Sequence, residues 1–203
     1  NNLVQITAPD GVVEKRFIYN ARGLLLKEIS ADGYRSGDSD EARIGTLYQY
    51  NAAGWLLEKR EPVVNAEEGG VQYRLTQYAY DCNGNRTAEK RFLALQSADS
   101  ADGSIHTLTF GYDKQNRLVR VSDGLGAVIQ YAYNCLNQRT KETRLLSEGL
   151  TQVIHYHYDA AGRLVEVSQT ADKAGCGQGF VSTKYEYDRN GNITRILLPA
   201  DGE

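Results

Sequence analysis

Seven times along this chain an aromatic residue, a variable residue and Tyr are followed by Asp or Asn, two variable residues, and Gly or Asn. The copies begin at Phe17-Ile18-Tyr19-Asn20, Tyr48-Gln49-Tyr50-Asn51, Tyr78-Ala79-Tyr80-Asp81 and Phe110-Gly111-Tyr112-Asp113. They continue at Tyr131-Ala132-Tyr133-Asn134, Tyr156-His157-Tyr158-Asp159 and Tyr185-Glu186-Tyr187-Asp188. The closing residues are Gly23, Gly54, Gly84, Asn116, Asn137, Gly162 and Gly191. Successive signature tyrosines lie 31, 30, 32, 21, 25 and 29 residues apart, so the linkers vary while the signature does not. A chain of this kind is built unit by unit rather than around one central core.

Each part of the signature has a physical reason. Aromatics at i and i+2 point to one face of a strand. Asp or Asn with Gly three residues later reads as a type I turn closed by a left-handed residue, a common hairpin end. Asn116 and Asn137 replace Gly with the residue that best tolerates that backbone. Two residues beyond lies Leu25, Leu56, Leu118, Leu164 or Ile193, at the start of a return strand; two copies instead carry Arg86 and Arg139. Those two copies also have Cys82 and Cys135 in the turn, and form a second variant with a polar return strand. Asp10-Gly11, Asp102-Gly103 and Asp123-Gly124 read as turns linking one hairpin to the next. The fold expected is all-β: one array of seven antiparallel hairpins over residues 1–203, a segment of a β-solenoid or shell. Stretches 32–43, 65–70, 96–103 and 170–179 read as exposed loops, with no amphipathic helix.

Composition agrees. The apolar fraction is 41% and mean hydropathy −0.51, which suits a sheet with one buried and one wet face. Tyr supplies 14 of the aromatics against 4 Phe and 1 Trp. With net charge −3 and pI about 5.7, no basic field calls for nucleic acid. No stretch approaches the roughly 18 apolar residues of a membrane span, so no membrane insertion is expected. The chain has no Met, and its two ends fall in nearly the same phase of the repeat, so it reads as an excerpt of a longer array.

Catalytic constellations are missing. Cys82 and Cys135 would stand roughly 19 Å apart along stacked hairpins, beyond the about 7 Å between Cα atoms that a disulfide spans. Cys176 adds no CxxC pattern. His155 and His157 share a strand face, but His106 is remote and no acidic cluster completes a zinc shell. The Asp and Asn after each Tyr are explained by the turn, and three of the seven are amides without acid–base capacity. The sequence therefore points to no catalytic residue, no cofactor and no metal.

Tyr156-His157-Tyr158-Asp159-Ala160-Ala161-Gly162-Arg163-Leu164 and Tyr185-Glu186-Tyr187-Asp188-Arg189-Asn190-Gly191-Asn192-Ile193 resemble the YD repeat, also called the Rhs repeat. Proteins with this repeat include bacterial Rhs polymorphic toxins, the C components of insecticidal toxin complexes and, more distantly, teneurins. The resemblance implies a sheet strip that spirals into a hollow shell around a C-terminal toxin effector, with no catalysis in the wall itself. It further implies further YD repeats and an effector of the same parent polypeptide as partners, together with secretion-apparatus proteins. The parent would be secreted, cell-surface or injected by a bacterial secretion system. Rhs cores usually end in an Asp-Pro self-cleavage motif; this sequence has no Asp-Pro. A cell-surface adhesion or carbohydrate-binding module, with a glycan on the Tyr rows, is the alternative.

Overall fold

The computed structural model describes residues 2–35, 39–64, 71–92, 105–145, 151–173 and 177–199. Its strands are β1 (Gln5–Thr7), β2 (Val13–Tyr19), β3 (Leu25–Ser30), β4 (Thr46–Tyr50), β5 (Leu56–Val64), β6 (Val71–Tyr80), β7 (Arg86–Phe92) and β8 (Ile105–Tyr112). They continue as β9 (Leu118–Asp123), β10 (Val128–Tyr133), β11 (Arg139–Leu145), β12 (Thr151–Tyr158), β13 (Leu164–Lys173), β14 (Gly177–Tyr187) and β15 (Ile193–Leu197). One short helix, α1 (Ala31–Arg35), follows β3. The strands form one open antiparallel sheet whose spatial order is the chain order, β1 to β15. The seven signatures close β2–β3, β4–β5, β6–β7, β8–β9, β10–β11, β12–β13 and β14–β15.

The chain falls into two compact units, Asn1–Leu108 and Thr109–Glu203. In the first, Phe17 faces Glu28, Tyr48 faces Lys59 and Tyr78 faces Glu89 across their hairpins. In the second, Tyr131 faces Glu142, Tyr156 faces Val167 and Tyr185 faces Ile196. The register slips just before the signature Tyr in each of these hairpins, between Ile18 and Tyr19 and again between His157 and Tyr158, for example. This slip is the bulge that a type I turn plus one left-handed residue imposes.

Between hairpins the ladder stops short of the turns. Lys27↔Leu47, Glu58↔Gln77, Lys141↔His155 and Glu166↔Lys184 are the pairs nearest the turn edge. Backbone carbonyls beyond them are left without a strand partner, and something else must satisfy them.

Three expectations are corrected. Among the described residues the buried apolar side chains are Ile29, Leu75, Phe92 and Ile154, so neither face is covered throughout. Segment 32–43 is not a plain exposed loop: α1 lies over Ile29 and Gly33 is buried. A Cβ on Gly33 would collide with the Ile44 carbonyl and crowd Ile29, so only Gly allows this approach. Arg43 completes the cover, stacked 3.7 Å from the Tyr34 ring centre and paired with Asp40 at 2.7 Å. Thr170–Lys173 and Gly177–Gly179 are paired strand, from Thr170↔Phe180 to Lys173↔Gly177, because backbone pairing overrides their loop-like composition. Asp123-Gly124 does open the turn that links the fourth hairpin to the fifth, between β9 and β10, and its left-handed residue is Gly126, at φ 103°. Stretches 65–70 and 96–103, with Asp102-Gly103, lie outside the described residues.

Candidate functional site

Every signature turn has the same atoms in the same roles. Let its Asp or Asn be position 1. Position 1 donates its N–H to the carbonyl of position 5 and accepts at its own carbonyl from the N–H of position 4, as in Asp159 N to Arg163 O and Gly162 N to Asp159 O, both 2.9 Å. Position 4 is left-handed in all seven: Gly23, Gly54, Gly84, Asn116, Asn137, Gly162 and Gly191. The side-chain oxygen of position 1 then caps the loop. Oδ1 of Asn20, Asp81, Asp113, Asn134, Asp159 and Asp188 accepts the N–H groups of positions 3 and 5 at 2.9–3.0 Å, and Asn51 caps Trp55 at 2.9 Å. Two link turns copy the device without Tyr. Asp123 caps Leu125 and Ala127, and Ala8 to Val12 repeats the backbone bonds around Gly11. The pattern Asp123-x-x-Gly126 was present in the sequence and went unread because no aromatic precedes it.

Positions 1 and 5 are matched in polarity. Asp meets a donor: Asp81–Asn85 and Asp188–Asn192 at 2.9 Å, Asp113–Arg117 and Asp159–Arg163 at 2.7 Å. Asn134 instead donates through its side-chain amide to Gln138 Oε1 at 2.8 Å. These donors hold the carboxyls below the usual aspartate value. For Asp81 and Asp188 the side-chain amide of position 5 leads; for Asp159 the Arg163 backbone N–H does. Partial burial opposes the shift at Asp113, and the Arg117 backbone N–H and guanidinium overcome it.

Position 5 also reaches the next turn. Arg117 donates to Asn134 O at 3.1 Å and Asn137 Oδ1 at 2.9 Å, Gln138 to Gly162 O at 2.8 Å, and Arg163 to Asp188 O at 3.1 Å. In the first unit, apolar position-5 residues make the same approach by packing: Leu24 lies beside Gly54, and Trp55 lies against Gly84 and the Tyr80 ring, 5.5 Å between centroids. Within each unit, successive turns are thus linked edge to edge.

The signature Tyr closes the gap left by the strand ladder. In the last three hairpins its hydroxyl donates to the carbonyl of position 6 in the preceding hairpin: Tyr133 to Leu118 O at 2.8 Å, Tyr158 to Arg139 O at 2.9 Å and Tyr187 to Leu164 O at 2.6 Å. Tyr19 does the same to Leu3 O at 2.8 Å. Phe could fill the space but not make the bond. Arg117 and Arg163 in turn stack over Tyr133 and Tyr187, at 4.9 and 4.8 Å from the ring centres.

The polar return strands of the third and fifth hairpins have a specific partner. Arg139 and Arg144 clamp Glu142 at 3.1 and 2.6 Å, and Arg86 and Arg91 clamp Glu89 at 3.0 and 2.6 Å. Both carboxylates are buried, whereas the arginines reach solvent. Arg139 and Arg86 stack on Tyr131 and Tyr78 of their own hairpins. Tyr156 from the next hairpin bonds Glu142 at 3.3 Å, as Tyr48 bonds Glu28. Burial first, and then Glu28, push the Tyr48 hydroxyl up to about 12. Position 9 thus takes Glu whenever position 6 is Arg. That coupling was readable as Arg-x-x-Glu-x-Arg at Arg86 and Arg139.

The remaining sequence candidates stand apart from this machinery. His155 and His157 share a face of β12 with centroids 6.5 Å apart, and His155 packs on Phe180. Among the described residues no group of three or more His, Cys, Asp or Glu could hold a metal ion. Cys82 and Cys135 are exposed and free at turn position 2. Cys176 lies outside the described residues.

The teneurin YD-shell family matches residues 2–174. The chain belongs to the teneurin YD-shell family. As a YD-shell segment it is a structural, shell-type domain. Solved structures similar to this YD-shell segment include TcdB2-TccC3-TEV (14% identity, TM-score 0.42, 96% of this chain and 12% of that one). TcdB2-TccC3-Cdc42 is similar too (15% identity, TM-score 0.42, 98% and 15%). The YD-shell segment thus spans well under a fifth of either chain. No curated protein sequence matched it.

Proposed function

We propose that this YD-shell segment is wall: part of a strip that encloses a C-terminal toxin effector of the same polypeptide and keeps it shielded until a secreted or injected parent delivers it. The observation that carries this reading is the hairpin-to-hairpin bonding of signature tyrosine and position 5. It makes a strip that extends by one hairpin at a time without needing a second layer. The sheet works by exclusion, and its residues hold one another rather than a substrate. The hydroxyls of Tyr19, Tyr133, Tyr158 and Tyr187 are bonded to carbonyls, which takes them away from a sugar.

The test is made in the full polypeptide that carries this segment. Replacing Tyr133, Tyr158 and Tyr187 together by Phe removes three bonds between hairpins. Hydrogen exchange should show faster opening of β10–β15, and limited proteolysis should cut the effector region sooner. Effector protection unchanged despite loosened hairpins would defeat the reading.

A further inference from the structure

Two asparagines of the chain precede glycine, Asn83 and Asn190, and both Asn-Gly pairs fill positions 3 and 4 of a signature turn. Asparagine before glycine is the arrangement most open to attack on the side-chain amide by the next backbone nitrogen, since glycine has no Cβ to obstruct the approach and turns freely. Asn83 is exposed, so water reaches it.

The third turn holds this reaction back in two ways. The Gly84 N–H, whose proton must leave before the nitrogen can attack, is bonded to Asp81 O at 3.2 Å. The Asn83 N–H is bonded to Asp81 Oδ1 at 2.9 Å, and the Cys82 thiol donates to Asn83 Oδ1 at 3.8 Å. Trp55 of the preceding hairpin then lies on Gly84: a Cβ there would stand 3.0 Å from the indole Cζ2 and 3.3 Å from Cε2. The indole is itself packed on Tyr80, 5.5 Å between centroids. Bringing Gly84 N to Asn83 Cγ breaks the bond to Asp81 and moves the α-carbon that the indole packs against.

We propose that Asn83-Gly84 is a deamidation site whose rate is set by opening of the third turn and restrained by Trp55. In the opened turn Gly84 N gives up its proton and attacks Asn83 Cγ. The N–Cγ bond forms, the Cγ–Nδ2 bond breaks, and the amide nitrogen leaves as ammonia with that proton. Water then opens the cyclic imide at either carbonyl, leaving an aspartyl or an isoaspartyl residue. Both products set a second carboxylate close to Asp81. The isoaspartyl form also lengthens the backbone between positions 3 and 4, which disrupts the bond from Gly84 to Asp81.

The test incubates the intact chain at mildly alkaline pH, folded or in concentrated urea, and follows both asparagines by peptide mass mapping. Asn83 should convert at least about tenfold more slowly in the folded chain. Trp55→Ala should speed Asn83 in the folded chain by about two- to tenfold, the value of a lost ring contact, and leave Asn190 unchanged. Trp55→Leu keeps a contact like that of Leu24 with Gly54 and serves if the alanine variant does not fold; it should give a smaller rise at Asn83 alone. Equal rates at Asn83 folded and in urea would overturn the proposal. So would a folded Trp55 variant that speeds neither asparagine, or both alike.

Discussion

The fifth hairpin, β10–β11, and the sixth, β12–β13, share one backbone and differ in what covers the aromatic face. In the fifth, positions 6 and 9 are Arg139 and Glu142, clamped with Arg144. In the sixth they are Leu164 and Val167, both half-buried. The following tyrosine is served equally, since Tyr158 bonds Arg139 O and Tyr187 bonds Leu164 O. The bond between hairpins uses a backbone carbonyl, so position 6 is free to change its side chain. The change is not free at position 9: a guanidinium needs its carboxylate, and a carboxylate this buried needs its cations. One sheet therefore carries both a charged and an apolar version of its repeat: Arg at position 6 comes with Glu at position 9, whereas Leu at position 6 accepts Glu28, Lys59 or Val167 there.

Breaking the coupling should have the largest effect. Glu142→Leu leaves Arg139 and Arg144 without their acid and Tyr156 without its acceptor. It should cost about 2–3 kcal/mol, below the full value for a broken buried pair because the arginines reach solvent. Completing the conversion with Arg139→Leu, Glu142→Val and Arg144→Gln should return the chain to within about 1 kcal/mol of wild type. Urea midpoints of the single and triple variants decide it; a harmless single substitution would dissolve the comparison.

The turns separate the two hairpins next. Gly162→Ala places a Cβ at φ 80° and 3.1 Å from the Gln138 amide, which must move. A cost of about 1–2 kcal/mol is expected. Asn137→Gly in the fifth hairpin relieves a left-handed Asn but loses the Arg117 contact, so its effect should stay within about 0.5 kcal/mol. Tyr158→Phe and Tyr187→Phe should each cost about 1 kcal/mol. These two values should be alike, because both tyrosines bond a carbonyl rather than a side chain; a clear difference would show that position 6 does matter to the bond.

Much of this was legible in the sequence. Asp or Asn followed three residues later by Gly or Asn dictates the turn, because few other residues hold those dihedrals, and the aromatic spacing dictates a strand before it. The contacts between hairpins were not legible. They depend on where the ladder between strands stops, and nothing local in Tyr187 says that its hydroxyl falls on Leu164 O, 23 residues earlier. Position 5 was hidden for the same reason: Arg163 looks like a surface cation until the next turn is placed beside it. The link turn at Asp123 was legible as Asp-Gly, but not its closure by Gly126, because the Asp-x-x-Gly spacing there has no aromatic before it. The strand residues Thr170–Lys173 and Gly177–Gly179 were not legible, because the pairing that two neighbouring strands impose overrides a loop-like composition.

Acid should finally distinguish the same two hairpins through position 1, Asn134 in the fifth and Asp159 in the sixth. Asp159 is held below the ordinary aspartate value by the Arg163 N–H and guanidinium, so its folded form binds a proton less readily than the unfolded chain. Its stabilising contribution is present above the unfolded value and is lost as pH falls from there through the folded one. Asn134 makes the same two backbone contacts, to Leu136 and Gln138, with an oxygen that does not titrate in this range. Between pH 5 and pH 3, protection of the Ala161 and Arg163 amides should therefore fall relative to that of Leu136 and Gln138, after correction for intrinsic exchange. Asp159→Asn should remove the difference provided Arg163→Gln restores the amide pairing seen at Asn134–Gln138. A fifth hairpin that loosens in step with the sixth would show that the turns open together, and that the edge-to-edge contacts of position 5 outweigh the cap within each turn.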